Sequence, residues 1–358
     1  MPNVLISTTA LWNCGDDFIR EGVLRLLKLK AECNQIWWNR GFGIESKYSN
    51  DLEYNLSFAD YIVIAGTPQW MMLNERLFEV ALKRSLPVAI IGVGTNGIVS
   101  QRHKRLLSEI ATKGLCEIAS ARDRNGLNAL KNAGLCLAKQ IIDPAYFCET
   151  LQLQQEYSVF GWRDFNIVTS DPRFIRFFPL KWLKLKQQHL LNINARQKKV
   201  SCYDQVMVDA FNKTRGPKVV LVHDNRELDR AVTLFGAKNV AYFSDHKKVY
   251  ELLAKCKHYI GSRIHGAIPA FIHGARVQLI YEDCRWEAIA LAKEYFREFC
   301  DDIDSRLKIH LLDESLGVFT AADWTPDSRP IRRGSEKMYN SIRAELLSTR
   351  SFSKIIES

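Results

Sequence analysis

Short continuous apolar runs alternate along the chain with segments whose apolar residues recur every three or four positions. The first run, VLIST at 4–8, predicts a buried β-strand, and the helix expected after it has Asp16 as cap and an apolar stripe of Phe18, Ile19, Val23, Leu26 and Leu27. YIVIAG (61–66), PVAIIGVG (87–94), CEIAS (116–120) and KQIIDPA (139–145) read as further strands. A helix is expected from about Asn125 to Gly134. After residue 217 the pattern resumes. KVVLVH (218–223) leads into NRELDRAVTLFG, a helix with Asn225 as cap and Gly236 as stop, then the strand NVAYF and the helix HKKVYELLAKC. A strand ending near Gly261, a short helix and the strand RVQLIY (276–281) follow, and a last helix is expected from about Glu336. Apolar strands separated by helices predict parallel sheets covered on both faces, an α/β class.

The length, 358 residues, suggests two domains at roughly 100–200 residues each. The expected boundaries are 1–155 and 191–325 for two Rossmann-like domains, 156–190 for an irregular linker and 326–358 for a helical tail. In the linker, Arg173, Arg176, Lys181, Lys184 and Lys186 interleave with Phe174, Phe177, Phe178 and Trp182. Two readings stay open there: a helix with a buried aromatic face, or a basic aromatic patch for an anionic membrane surface or a glycan.

The net charge of +10 favours acidic partners without choosing among them. The basic residues are spread along the chain with no nucleic-acid-binding module, so no nucleic acid is expected. The nine cysteines include no C-x-x-C pair, which points away from a disulfide framework or zinc site and toward reduced thiols in a cytoplasm. The N-terminal stretch reads as a strand and not a signal peptide, and no run of about 18 apolar residues predicts a spanning helix.

Ligands of open parallel sheets gather beyond the carboxyl ends of the strands. The loops at 13–17, 65–70, 92–97, 223–225 and 261–265 are therefore the candidates. GVGTNG (92–97) has G-x-G-x-x-G spacing, but no acidic residue ends the following strand, so a dinucleotide cofactor is not implied. GSRIHGAIPA is more informative. Ser262 ends a strand, and Gly266 and Pro269 open a short helix whose free N–H groups favour an anion. Arg263 supplies a fork for phosphate or carboxylate, and His265 a group that titrates near neutrality. His223 and Asp224 form an adjacent pair at another strand end, suited either to proton transfer or to simple capping. Arg122 and Arg124 flank Asp123, as ligand contacts or as its ion-pair partners.

Together NCGDDFIREGV, ADYIVIAG, SARDRNGLNALKNAG, DPA, VHD and GSRIHGAIPAFIHGARVQLIYED resemble the polysaccharide pyruvyl transferase family, in its order, over most of residues 13–290. One departure is AGTPQW, where Thr67 and Pro68 replace usual glycines. The resemblance implies a GT-B-like pair of Rossmann-like domains facing a cleft. It implies transfer of pyruvate from phosphoenolpyruvate to two hydroxyls of a sugar or lipid-linked glycan, with no metal or organic cofactor, by a cytoplasmic protein able to sit at the inner face of a membrane. The donor would be held by Arg263, Ser262, Gly266 and, more weakly, Arg196 in NINAR, placed at a strand end. His265 would be the acid, Asp224 or His223 the base, with Asp16 or Asp17 as a fallback. The acceptor side would use Asp16, Asp17, Arg122 and Arg124. The alternative is a nucleotide-sugar glycosyltransferase, in which Glu282 and Asp283 would hold a ribose or sugar hydroxyl.

Overall fold

The computed structural model of the protein describes residues 1–8, 14–39, 56–66, 75–94, 101–165, 193–281, 286–311 and 329–357. The chain divides into two compact units, one of residues 1–150, 284–303 and 328–358, the other of 151–283 and 304–327. Their described strands form two six-stranded sheets in which every paired neighbour is parallel. This is the expected α/β class.

In unit 1 the strands are β1 (Asn3–Thr8), β2 (Asn34–Asn39), β3 (Tyr61–Ala65), β4 (Val88–Val93), β5 (Cys116–Ala121) and β6 (Lys139–Gln140), in the order β2-β1-β3-β4-β5-β6. The described helices between them are α1 (Cys14–Leu27), α2 (Glu75–Arg84), α3 (Gln101–Thr112) and α4 (Arg124–Asn132). The runs at β3 and β4 are apolar throughout because both faces of the sheet are covered: Ile62, Val63, Ile64, Val88, Ala89 and Ile90 are 0% exposed.

Unit 2 holds β7 (Tyr157–Gly161), β8 (Lys218–Val222), β9 (Val240–Tyr242), β10 (Cys256–Gly261), β11 (Arg276–Tyr281) and β12 (Leu307–Leu311). Its helices are α5 (Ile193–Lys213), α6 (Leu228–Phe235), α7 (His246–Ala254) and α8 (Ile264–Ile272). The order β12-β11-β10-β7-β8-β9 is that of a dinucleotide-fold sheet, with the direction of winding reversing between β7 and β10. The inward stripe of α5, with Val200, Tyr203, Met207 and Ala210 at helical spacing, is buried against this sheet.

Several expectations are corrected. YSVFG, assigned to the linker, is the central strand β7. NQIWWN and LKIHL add the edge strands β2 and β12. The strand expected at 139–145 is two residues long, because Asp143 and Pro144 turn the chain into a 3₁₀ segment with the Asp143 side chain accepting from Ala145 N at 2.9 Å. Asp16 lies inside the first turn of α1 and not before it. Asn225 does not cap; Asp224 does, accepting from Arg226 N at 3.0 Å. Arg196 sits in helix α5, not at a strand end. Pro269 lies in the middle of α8, where it has no N–H for the carbonyl of His265 four residues back.

Two further helices, Trp286–Phe296 and the tail helix Arg329–Leu347, belong to unit 1. Tyr339 Oη donates to Arg25 O at 2.6 Å, and Arg343 to Leu27 O at 3.2 Å, fixing the tail helix on α1. The basic aromatic stretch at 173–186, Glu282 and Asp283 lie outside the described residues. No described helix is long and apolar enough to cross a membrane.

Candidate functional site

The carboxyl ends of β7, β8 and β10 converge where the second sheet reverses its winding. Close approach there depends on glycine. A Cβ on Gly261 would lie 2.3 Å from Gly161 O, and one on Gly161 would lie 1.8 Å from Tyr259 Oη. That hydroxyl donates to Arg263 O at 2.9 Å, which sets the backbone of the turn from the buried side. Arg263 then takes an extended conformation (φ −86°, ψ 104°) as the N-cap of α8, with no side-chain cap bond, so its guanidinium is left for other partners.

One of those partners is Glu227, whose Oε1 accepts from Arg263. Glu227 is 1% exposed, and its two oxygens also accept from the main-chain N–H of Asp164 (3.2 Å) and His223 (3.3 Å). One carboxylate thus joins the turns after β7, β8 and β10. Burial pushes the Glu227 carboxyl up, against the pull of Arg263. Beside it, Tyr203 Oη and Ser262 Oγ are 3.1 Å apart, and burial raises the Tyr203 phenol.

His223 is buried, and burial followed by the charges of Arg263 and His265 holds its imidazole well below the ordinary histidine range. It is therefore neutral at pH 7. Its Nε2 and Arg263 Nε are buried without a hydrogen-bond partner among the described residues. Such orphaned groups at a strand-end turn call for an account, and a polar ligand supplies one. His265, one residue into α8, is half-buried. Asp224 has both oxygens on Arg226, at 2.9, 3.1 and 2.5 Å, in addition to its cap. Arg230 bonds Asp204, which also accepts from Trp162 Nε1 at 3.0 Å.

The structure therefore brings Ser262, Arg263, His265, Gly266, His223 and Asp224 to one edge of unit 2. The side chain of Arg196 lies outside what is described. Glu227 and Tyr203 were not found from sequence. Glu227 stands where a helix start commonly carries a solvent-facing acid, and its burial is a tertiary fact; a signal was its place four residues after His223.

The other four candidates lie in unit 1, in two places. Asp16 and Asp17 follow β1, while Arg122 and Arg124 follow β5, with β3 and β4 between those strands. Arg122 Nη1 bonds Asp143 Oδ2 at 2.6 Å, with both side chains buried. Asp123 caps α4, accepting from Gly126 N at 2.6 Å, and Arg124 is exposed. Asp17 pairs with Arg20 at 2.7 Å, yet burial pushes its carboxyl up to about 7. In the glycine-rich loop, a Cβ on Gly94 would meet Asp123 Oδ2 at 2.4 Å, so that glycine serves packing; residues 95–97 lie outside the described residues. Among the described residues no group of three or more His, Cys, Asp or Glu side chains could hold a metal ion.

Comparison with known proteins bears on the fold and the family. A Listeria monocytogenes protein assigned as a UDP-N-acetylglucosamine 2-epimerase is similar in structure, with a TM-score of 0.51 at 7% identity over 97% of this chain and 91% of that one. The S. aureus MnaA structure with UDP has a TM-score of 0.47 at 8% identity, over 96% and 90%. At such identities the likeness concerns the fold, a GT-B-like pair of α/β units. No curated protein matches the chain. The profile described as polysaccharide pyruvyl transferase matches residues 13–283, which include both sets of strand-end candidates, and the chain accordingly belongs to the polysaccharide pyruvyl transferase family of transferases.

Proposed function

We propose that the protein transfers pyruvate from phosphoenolpyruvate to two hydroxyls of a sugar in a glycan or glycan precursor, forming a ketal. The observation that carries this reading is the strand-end turn of unit 2, where Arg263 and His265 stand beside a neutral His223 whose Nε2 has no partner among the described residues. Phosphoenolpyruvate is a trianion with phosphate and carboxylate, and needs such a cationic edge.

In this reading Arg263 and the start of α8 hold the anion. The His265 imidazolium gives its proton to the methylene carbon, and C2 becomes oxocarbenium-like. A sugar hydroxyl adds to C2, and His223 takes its proton. Burial is the larger cause of its depressed basicity; the bound trianion offsets the second, the charges of Arg263 and His265, and so favours proton uptake. The C2–O bond to phosphate then breaks with its electron pair, its charge held by Arg263. The second hydroxyl closes the ketal. His223 passes the first hydroxyl proton to the departing phosphate and the second hydroxyl proton returns to His265, so both histidines are reset and the balance closes. Asp224, engaged with Arg226, acts here through the loop it caps.

The structural neighbours named with UDP or its sugars keep a second reading in play, nucleotide-sugar transfer at the same edge. Calorimetric titration with phosphoenolpyruvate and, in parallel, uridine diphosphate separates the two. Phosphoenolpyruvate binding to wild type is expected to weaken at least a hundredfold in Arg263→Ala. Binding of uridine diphosphate alone would overturn pyruvyl transfer in favour of glycosyl transfer.

A further inference from the structure

Glu227 presents a puzzle of sign. A carboxylate beside an anion site repels the anion, so an anion site would be stronger without it. Yet this one is buried, with a side chain 2% exposed, at the edge where the donor reading places a trianion. It is also the shared acceptor for Asp164 N, His223 N and the Arg263 guanidinium. These groups belong to the turns after β7, β8 and β10. The Arg263 side chain is only 19% exposed, and its Nε has no partner among the described residues. A guanidinium is a rigid fork on a flexible stem carrying about 2 kcal/mol of rotamer entropy. Tying one nitrogen to a fixed carboxylate removes much of that freedom before any ligand arrives.

We propose that Glu227 is the positioning residue of the donor site: it holds the Arg263 fork and the main chain at His223 and Asp164 in one pre-set cradle, and its grip on Arg263 outweighs its repulsion of the anion. The proposal rests on the donor reading above for the identity of the ligand, and on the geometry alone for the role of Glu227.

The test is Glu227→Gln, which keeps size and one acceptor oxygen but removes the charge. If Glu227 acted only through its charge, the variant would bind phosphoenolpyruvate more tightly. The positioning role predicts binding at least tenfold weaker, measured well below the unfolding temperature of the variant. Glu227→Asp, which keeps the charge and loses reach, is expected to weaken binding as well, and replaces the first variant if that one does not fold. A cycle with Arg263→Lys then asks whether Glu227 works through the fork. In the Lys background Glu227→Gln should change affinity less than twofold, whereas a full additive loss would overturn the proposal, as would unchanged or tighter binding in Glu227→Gln alone. Uridine diphosphate is titrated alongside. If wild type binds it and not phosphoenolpyruvate, the donor reading fails and the same cycle, run on the nucleotide, decides Glu227. If wild type binds neither, both fail.

Discussion

Each unit of this protein has an arginine just beyond a strand, paired with a buried acid, and the two pairs are built differently. In unit 1 Arg122 and Asp143 leave side chains 5% and 0% exposed, and Asp143 also caps the turn at Ala145. In unit 2 the Arg263 side chain is 19% exposed, and its partner Glu227 has two main-chain donors of its own. The first pair is closed, with both charges committed to holding the strand ends of β5 and β6. The second leaves part of the cation facing outward. An arginine–carboxylate pair beyond a strand is thus closed in one unit and partly exposed in the other. In the reading proposed above, the exposed one presents its charge to the donor.

The contrast is sharpest in stability. Arg122→Met would strand the Asp143 charge in the interior, and an expected loss of about 3–5 kcal/mol follows for a broken buried pair. Arg263→Met is expected to lose only about 1–2 kcal/mol, since Glu227 keeps its main-chain donors and burial already biases it toward taking a proton. Denaturant unfolding of the two variants, with hydrogen exchange read separately over each unit, measures both. Equal losses would remove the distinction, and Arg122 would have to be reconsidered as a ligand contact.

This difference was not legible in the sequence. SARDR and GSRIH both read as arginines beyond a strand, and nothing in the spacing tells that Asp143, twenty-one residues after Arg122, closes over it. The long apolar runs at β3, β4, β8, β10 and β11 were legible because a strand covered on both faces needs apolar residues at every position. β7 was missed although it lies at the centre of its sheet, because Ser158, 1% exposed, interrupts the apolar run. The arginine–histidine turn was legible because strand, helix start and charged groups are contiguous. Glu227 and Tyr203 were brought to it by packing of the turn after β8 and of α5, over 36 and 59 residues of sequence separation.

Buried histidines extend the comparison to acid. His103, 0% exposed in unit 1 with an edge contact to Phe78, is moved from 6.5 to about 4 by burial. His273 in unit 2 is moved equally far by burial, but its ring is bonded on both sides, with Leu151 N donating to Nε2 at 2.9 Å and Nδ1 2.6 Å from Pro269 O. Each must be neutral in the fold. The unfolded chain binds the proton first, so stability is complete above about 6.5 and falls as pH drops toward about 4, by at most roughly 3 kcal/mol per histidine. His103→Phe should flatten the acid loss in unit 1 at little cost at pH 7. His273→Phe should flatten it in unit 2 while losing both ring bonds. Hydrogen exchange at pH 7 and 4.5 reads each unit, and an unchanged slope in His103→Phe would locate the acid loss elsewhere.

The smallest expected effect concerns Asp17, and its sign is opposite. Burial lifts this carboxyl from 3.8 to about 7 despite Arg20 at 2.7 Å, with Asp16 and Glu21 adding to the rise. The folded protein holds the proton that the unfolded chain releases. The favourable contribution is complete below about 4 and is lost as pH rises through 7. Asp17→Asn carries no charge to lose, so it should match wild type near pH 4 and exceed it increasingly toward pH 8. The side chain is 24% exposed, so solvent screening reduces the gain to roughly 1–2 kcal/mol. Thermal unfolding from pH 4 to 8 measures the divergence. Parallel curves would mean that Asp17 is ionised throughout and ties Arg20 as an ordinary ion pair. Diverging curves would mark a carboxyl beyond β1 that changes protonation near neutrality, as a group handling an acceptor hydroxyl must, and would give unit 1 a titrating acid to set against the fixed cation of unit 2.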